Sequence, residues 1–262
     1  MRHSKWCIVI RENIFLLWIL LSISPKCASN AKTHSTDGQH KNGSNHMIKL
    51  DIFSDPICPW CYIGKARLEA ALDQRPDHPF VVEWHPFQLN PDMPTTGMNR
   101  RAYLEGKFGG ADGAKSAYSP IVDTLSKELP GADLGKIKKT PNTLNAHRLI
   151  HWAGLEAKQT LMVDALFEAY FVHGRDIGET ETLADIADSI GMDASVVLRL
   201  LGTDEDSDLI SARDAHARER GINAVPMFVV AQQHAVSGAQ NSDLWLNVID
   251  ELMGKTDAST TH

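Results

Sequence analysis

One stretch constrains this chain more than any other: Asp51-Ile-Phe-Ser-Asp-Pro-Ile-Cys58-Pro-Trp-Cys61-Tyr-Ile-Gly-Lys65. Leu50, Ile52 and Phe53 are strand-like, and Ser54 to Pro56 break the run. Pro59 suits the first position of a helix, where its missing N–H costs nothing. Cys58 is therefore expected at or beside a helix N-cap, where unpaired N–H groups and the positive end of the helix dipole stabilise a thiolate. A free cysteine with a pKa of about 8.5 is roughly 3% thiolate at pH 7, whereas one lowered to about 5 is roughly 99%. Placement alone can make such a thiol reactive, and the stretch reads as a redox site at a strand-to-helix junction.

The rest of the chain has to complete that strand and helix. Met47 to Phe53 reads as a first strand and Pro59 to about Gln74 as a helix, with Ile63, Ala66, Leu68, Ala71 and Leu72 at roughly helical spacing. The β-branched and aromatic run Phe80 to Leu89 reads as a second strand, parallel to the first. Asn90 to Gly97 is a loop, and Tyr103 to Phe108 begins a helix that Gly109-Gly110 stops. Five helices are expected beyond it: Thr143–Ala153, Thr160–Val172, Glu181–Ile190, Ser195–Leu201 and Asp206–Glu219. Thr180 and Asp193 carry N-cap signals. Strand-like composition returns at Met227 to Ala231, turns near Gln232-Gln233 and pairs back through His234 to Ser237, and Asn241 to Met253 forms a last helix.

Charge and cysteine placement limit the partners. Residues 1–46 hold six Lys/Arg against two Asp/Glu, a net of +4, which leaves −11 on the other 216 residues of a chain whose total is −7. Such an acidic body argues against nucleic acid or an anionic membrane as main partner. Cys7 and Cys27 lie in the leader, and Cys58 and Cys61 are the only cysteines of the body. With no disulfide framework, stability must come from an apolar core. The leader has a basic start, an apolar run from Ile14 to Leu21 and a polar tract from Ser29 to His46. It reads either as a signal peptide, implying export, or as an extension ahead of a true start at Met47, implying a cytoplasmic protein; the second is preferred. The apolar run falls short of the roughly 20 residues that span a bilayer.

Cys-Pro-Trp-Cys at the first strand–helix junction, a helical insertion, and Val225-Pro226 opening a β-β-α unit resemble the thioredoxin superfamily in its DsbA form. Five motifs narrow the likeness: Ser54 to Lys65, Trp84 to Pro91, Asn142 to Arg148, Tyr170 to Asp176 and Val236 to Gln240. Together they resemble the FrnE-like DsbA-family oxidoreductases, which sit near the 2-hydroxychromene-2-carboxylate isomerases and kappa-class glutathione transferases. His85 departs from the pattern, standing where an Arg or Lys is expected. The resemblance implies an α/β thioredoxin fold with a large all-helical insertion. Its parts are a leader (1–46), a β-α-β first half (47–98), the insertion (99–220), a β-β-α second half (221–255) and a tail (256–262).

The implied chemistry is dithiol–disulfide exchange with protein thiols and disulfides, with Cys58 attacking and Cys61, one helical turn on, resolving. Pro59 and Trp60 tune the balance. Val225 and Pro226 form a cis-proline loop packed against the cysteines, although an unaided X–Pro bond is cis in only about 5–6% of folded cases. No resident cofactor is expected, with glutathione as an alternative redox partner or co-substrate. Two other functions compete: a glutathione-dependent isomerase or transferase, in which a serine typically stands at the Cys58 position, and a non-enzymatic chaperone-like binding module. A zinc site is not expected. Structural zinc takes four ligands and the body has no second cysteine pair, while His78, His85, His147, His151 and His173 offer only the pair His147/His151 at one helical turn. That pair reads as a helix face with His147 inward. Trp84, Phe87, Trp152, Phe167, Tyr170 and Phe171 read as core, and the acidic run Asp204 to Asp208 as a solvated helix start.

Overall fold

A computed structural model describes residues 47–254. The leader, Cys7, Cys27 and the tail 256–262 lie outside the described residues. Strand β1 (Ile48–Ser54) runs directly into helix α1 (Pro59–Gln74), and strand β2 (Phe80–Pro86) returns parallel to β1 with Ile52 opposite Trp84. Pro59 occupies the first turn of α1 as expected from its geometry. At the other end of the fold, β5 (Met227–Val230) lies antiparallel to β1, and β6 (His234–Ser237) pairs antiparallel with β5. The resulting sheet has the order β2-β1-β5-β6, so β1, which feeds the cysteines, is interior. Ala231 and Gln232 both take positive φ in the β5–β6 turn, at 53° and 58°, the mirror-image turn whose twist suits a tight hairpin.

Between the halves come the short pair β3 (Met98–Asn99) and β4 (Lys139–Thr140), and helices α2 (Arg100–Phe108), α3 (Ala111–Glu128), α4 (Leu144–Leu155) and α5 (Gln159–Phe167). Helix α5 continues into a π-helical turn, Glu168–Val172, and α6 (Thr180–Ser189), α7 (Ala194–Leu201) and α8 (Ser207–Glu219) follow. Helix α9 (Ser242–Leu252) closes the fold against α1, its N-terminus capped by Asn241, whose side chain accepts from Leu244 N at 3.0 Å.

The insertion is helical apart from the short β3–β4 pair, to which the sequence pattern assigns no strand, and β2 ends at Pro86 rather than Leu89; three helix assignments differ as well. Helix α3, 18 residues long, occupies a segment to which the sequence pattern assigns no element. Pro120 sits inside it, and only Ile121 and Leu125 of its residues are buried, so both the breaker and the thin apolar face mask the helix. Helix α2 starts at Arg100 rather than Tyr103, because the Asn99 side chain caps it by accepting from Ala102 N at 3.1 Å. Asp193 caps α7 as expected, accepting from the amides of Ser195 and Val196, whereas α6 begins after Glu179 with no side-chain cap and Thr180 is already helical.

The main core joins sheet and insertion. Leu50, Ile52, Leu68, Phe80, Phe228, Trp245 and Ile249 pack in one continuous cluster with Leu149, Leu166, Phe167, Phe171 and Leu183. The aromatic set read as core is all buried, from Trp152 at 6% to Tyr170 at 0% exposed. Lys65 is also buried in this seam, and its ammonium pairs with Glu69 of α1 and Asp164 of α5, tying the cysteine-bearing helix to the insertion.

Candidate active site

Cys58 occupies the N-cap of α1 in extended conformation (φ −86°, ψ 114°) with no side-chain capping bond. This places the thiol at the positive end of the α1 dipole, which favours negative charge. Its backbone is held by Cys58 N donating to Asp55 O at 2.9 Å, while Cys58 O accepts from Cys61 N and Tyr62 N at 3.0 and 3.2 Å. Both cysteines are unpaired thiols, Cys58 at 4% and Cys61 at 1% exposed. Burial pushes the Cys61 thiol well up from its ordinary value, and contact with Cys58 adds to the shift.

Val225-Pro226 is cis, and the loop returns beside the cysteines from 167 residues away: the Cys58 thiol lies 3.8 Å from Val225 O as donor to that carbonyl. Gly64 makes the approach possible, since a Cβ there would stand 3.1 Å from Pro226 Cγ and 3.4 Å from Ala239 Cα. Trp60 remains partly exposed and packs against Ile63, Ile121 and Leu125 alongside Tyr118. Tyr118 and Tyr170 hold the buried Arg100 through their hydroxyls at 3.2 and 3.0 Å. Burial raises the Tyr118 phenol, with negative charge at Cys58 a smaller contribution.

Two buried titratable groups near the cysteines, Asp55 and His147, carry little signal of a role in the sequence. Asp55 is fully buried, accepting from Leu89 N at 2.6 Å and Ile57 N at 3.3 Å. Burial nevertheless raises its carboxyl to about 7, against the lowering effect of those bonds and of Thr143. His147 Nε2 stands 3.9 Å from Asp55 Oδ1. Burial and the nearby Arg213 lower His147 to about 3, so the imidazole is neutral and the contact is not an ion pair. The only signal in the sequence was the polar pair Ser54-Asp55 inside an otherwise apolar approach to Cys58.

The raised Asp55 has a consequence for stability. The folded protein keeps a proton that the unfolded chain, at about 3.9, releases, so this contribution is full below pH 4 and is lost as pH rises through about 7. Relative to Asp55→Asn, the wild type should lose on the order of 3 kcal/mol between pH 4 and 8. Urea midpoints of both proteins across that range measure it, and a pH-independent difference contradicts the assignment.

Among the described residues one group gathers metal-type ligands, Asp51, Glu83 and His85, within 4.8 Å of one another. It is an ion-pair network: Lys49 Nζ lies 3.0 Å from Asp51 and 2.7 Å from Glu83, and Arg213 lies 3.1 Å from His85 Nδ1 and 3.5 Å from Glu83. His85 stacks on Phe53 at 4.8 Å and bonds Asp51 at 2.6 Å. His147 faces inward, as expected, and His151 is partly exposed. The Asp204–Asp208 run starts α8 but is not merely solvated, because Asp206 Oδ2 accepts from Trp152 Nε1 at 2.8 Å. No helix among the described residues is long and apolar enough to cross a membrane.

Comparison with known proteins agrees with this geometry. The uncharacterized protein YwbO of Bacillus subtilis is 24% identical over 209 residues, covering 78% of this chain and 96% of its own. The crystal structure of a probable DsbA oxidoreductase, SCO1869 of Streptomyces coelicolor, matches with a TM-score of 0.70 at 25% identity, over 82% of this chain and 94% of that one. The cytosolic disulfide reductase DsbM of Pseudomonas aeruginosa shares the fold, with a TM-score of 0.57 at 16% identity over 79% and 100% of the two chains. The model of the DSBA-like thioredoxin domain matches residues 49–250, and the chain belongs to that family of DsbA-like thiol oxidoreductases.

Proposed function

We propose that the chain is a dithiol–disulfide oxidoreductase that exchanges disulfides with protein thiols through Cys58 and Cys61. The observation that carries this reading is the position of the Cys58 thiol, at the N-terminus of α1 and against Val225 O of the cis-proline loop, with Cys61 one turn on and deeper. In the reducing direction the Cys58 thiolate attacks a substrate disulfide, forming a mixed disulfide and releasing one substrate thiolate. Cys61 then attacks Cys58 Sγ, the internal disulfide forms, and the electron pair leaves on the second substrate sulfur. The oxidising direction is the reverse. An extended substrate segment would lie along the backbone beside Val225, whose carbonyl already faces the reacting sulfur.

The isomerase or transferase alternative needs one activating group at position 58; a second thiol at Cys61, in contact with the first, is what an exchange reaction uses and that chemistry does not. Glutathione is a reasonable small-molecule redox partner in this reading, and DsbM has been crystallised with it. The acidic body argues against nucleic acid as a substrate.

A titration in glutathione buffers, with alkylation and mass readout, tests the proposal. Cys58 and Cys61 should interconvert between dithiol and disulfide as a two-electron couple. A potential near or above the glutathione pool marks an oxidant or isomerase, and one well below it a reductase. If the sulfurs never pair under oxidant, the reading fails.

A further inference from the structure

Helix α2 buries one residue, and that residue is charged: Arg100, at 6% exposure. A nine-residue helix is marginal in water unless an apolar face packs on the fold, and α2 buries no apolar side chain. Its neighbour α3 buries only Ile121 and Leu125, both in its second half. Between α2, the first turns of α3 and the segment leading into β4 lies a depression of about 500 Å³. That size falls within the roughly 300–1,000 Å³ of small-molecule sites. Neither cysteine lines it, nor does Val225 or Pro226, so it is separate from the exchange site.

Hydrogen bonding and charge are both incomplete where Arg100 lines this depression. Its guanidinium donates from Nη1 to Tyr170 Oη at 3.0 Å and from Nη2 to Tyr118 Oη at 3.2 Å. A guanidinium has five N–H groups, so these two bonds leave three without an acceptor among the described residues. No carboxylate among the described residues pairs with it, and Glu105 is taken by Arg101 at 2.7 Å. Burial raises both phenols, so neither supplies a countercharge. The guanidinium also lies 5.4 and 5.9 Å from the two ring centroids, but such contacts recover only part of what burying an unpaired charge costs. Around the depression Arg100, Arg101 and Lys138 stand against Glu105 alone, a local net of +2 on an otherwise acidic body. Leu104, Ala111, Ala114, Leu134 and Ile137 give it apolar walls.

We propose that this depression binds a monoanion made of a carboxylate on a short apolar body, with the carboxylate on Arg100 and the body against Leu104, Leu134 and Ile137. A planar guanidinium matches a carboxylate through two parallel hydrogen bonds. One buried cation calls for one negative charge, and apolar walls disfavour a strongly hydrated free phosphate. The bound molecule supplies the apolar cover that the chain leaves off α2, so binding and the order of α2 are linked.

Octanoate, 1-octanol and inorganic phosphate, each added to the full chain, test the site through hydrogen exchange of the α2 amides, a readout that involves neither cysteine. Octanoate at ten times its dissociation constant should slow exchange from Arg101 to Phe108 about tenfold, since opening of α2 then requires release of the ligand. 1-Octanol, which lacks the charge, and phosphate, which lacks the apolar body, should each bind about 10- to 100-fold more weakly. Arg100→Met should lower the affinity for octanoate to that for 1-octanol. Ala114→Phe adds bulk on the half-buried wall and leaves Arg100 in place, so it should abolish binding and keeps the test decisive if the Arg100 variant fails to fold. Octanoate affinity unchanged by Ala114→Phe overturns the site. So does phosphate binding as tight as that of octanoate, or α2 exchange that millimolar octanoate leaves unaltered. Equal affinities for octanoate and 1-octanol overturn the role given to Arg100.

Discussion

Replacement of Cys58 by serine should abolish disulfide exchange, and replacement of Cys61 by serine should turn the protein into a trap for its substrates. The asymmetry follows from where the two sulfurs sit. Cys58 is at the N-terminus of α1 beside the Val225 carbonyl, whereas Cys61 lies one turn further along, its thiol pushed toward the protonated form by burial. Cys61 alone can neither reach a substrate nor ionise readily, so Cys58→Ser should lower insulin reduction, followed as turbidity in dithiothreitol, to the uncatalysed rate. With Cys61→Ser the first attack still occurs, but nothing displaces the substrate sulfur from Cys58, and non-reducing mass analysis should show a persistent covalent adduct. Retained turnover in Cys58→Ser, or no adduct with Cys61→Ser, contradicts the assigned order of attack.

The largest expected effect on stability lies far from the sulfurs. Arg148→Ala should cost about 3–5 kcal/mol, from buried carbonyls losing a donor at about 1–3 kcal/mol each and from the cavity left, enough to threaten a domain whose whole stability is of order 5–15 kcal/mol. Arg148 is buried on α4, and its guanidinium donates to Glu205 O at 2.7 Å, Asn145 Oδ1 at 2.8 Å, and Leu200 O and Thr203 O both at 2.9 Å. It also stacks on Trp152 at 4.9 Å. Truncation removes the guanidinium donor from Thr203 O and Glu205 O in the α7–α8 connection, while Leu200 O keeps the Thr203 amide and hydroxyl, and it opens a cavity beside Trp152. Arg148→Lys should recover little of the loss, because one ammonium cannot serve four acceptors spread around a planar fork. The measurement is the shift in denaturant midpoint at unchanged slope. A loss below about 1 kcal/mol for Arg148→Ala would show that water replaces the guanidinium without penalty.

The parts of this fold that could be read from sequence are those whose determinants are local. Pro59 and the apolar spacing after it located α1, and the composition of Phe80 to Leu89 located β2, although its sheet pairing ends at Pro86. The hairpin at Gln232-Gln233 was equally legible. Helix α3 was not, because an internal proline and a mostly solvated surface remove both signals by which a helix announces itself. At the site, the cysteines and the proline loop follow from spacing and resemblance. Asp55 and His147 owe their shifted protonation to burial and to a meeting of segments about ninety residues apart, which no local pattern encodes. His85 shows the same limit: the missing basic side chain in its segment is offset by Arg213, which reaches the same ion-pair network from α8.

The 167 residues between Cys58 and Val225 also bear on how the protein is made. At ordinary rates of synthesis, about 5–20 residues per second, roughly 8–33 s pass between the two. Through that interval the nascent chain carries both cysteines without the backbone that will cover them. A chain stopped short of Met227 would lack strands β5 and β6 and helix α9 while keeping its thiol pair intact. Its sulfurs would then meet oxidants without the Val225 carbonyl and Pro226 beside them. Late completion therefore makes the segment from Val225 onward, the last part of the site to be synthesised, the one that turns an uncovered thiol pair into a site framed by the proline loop.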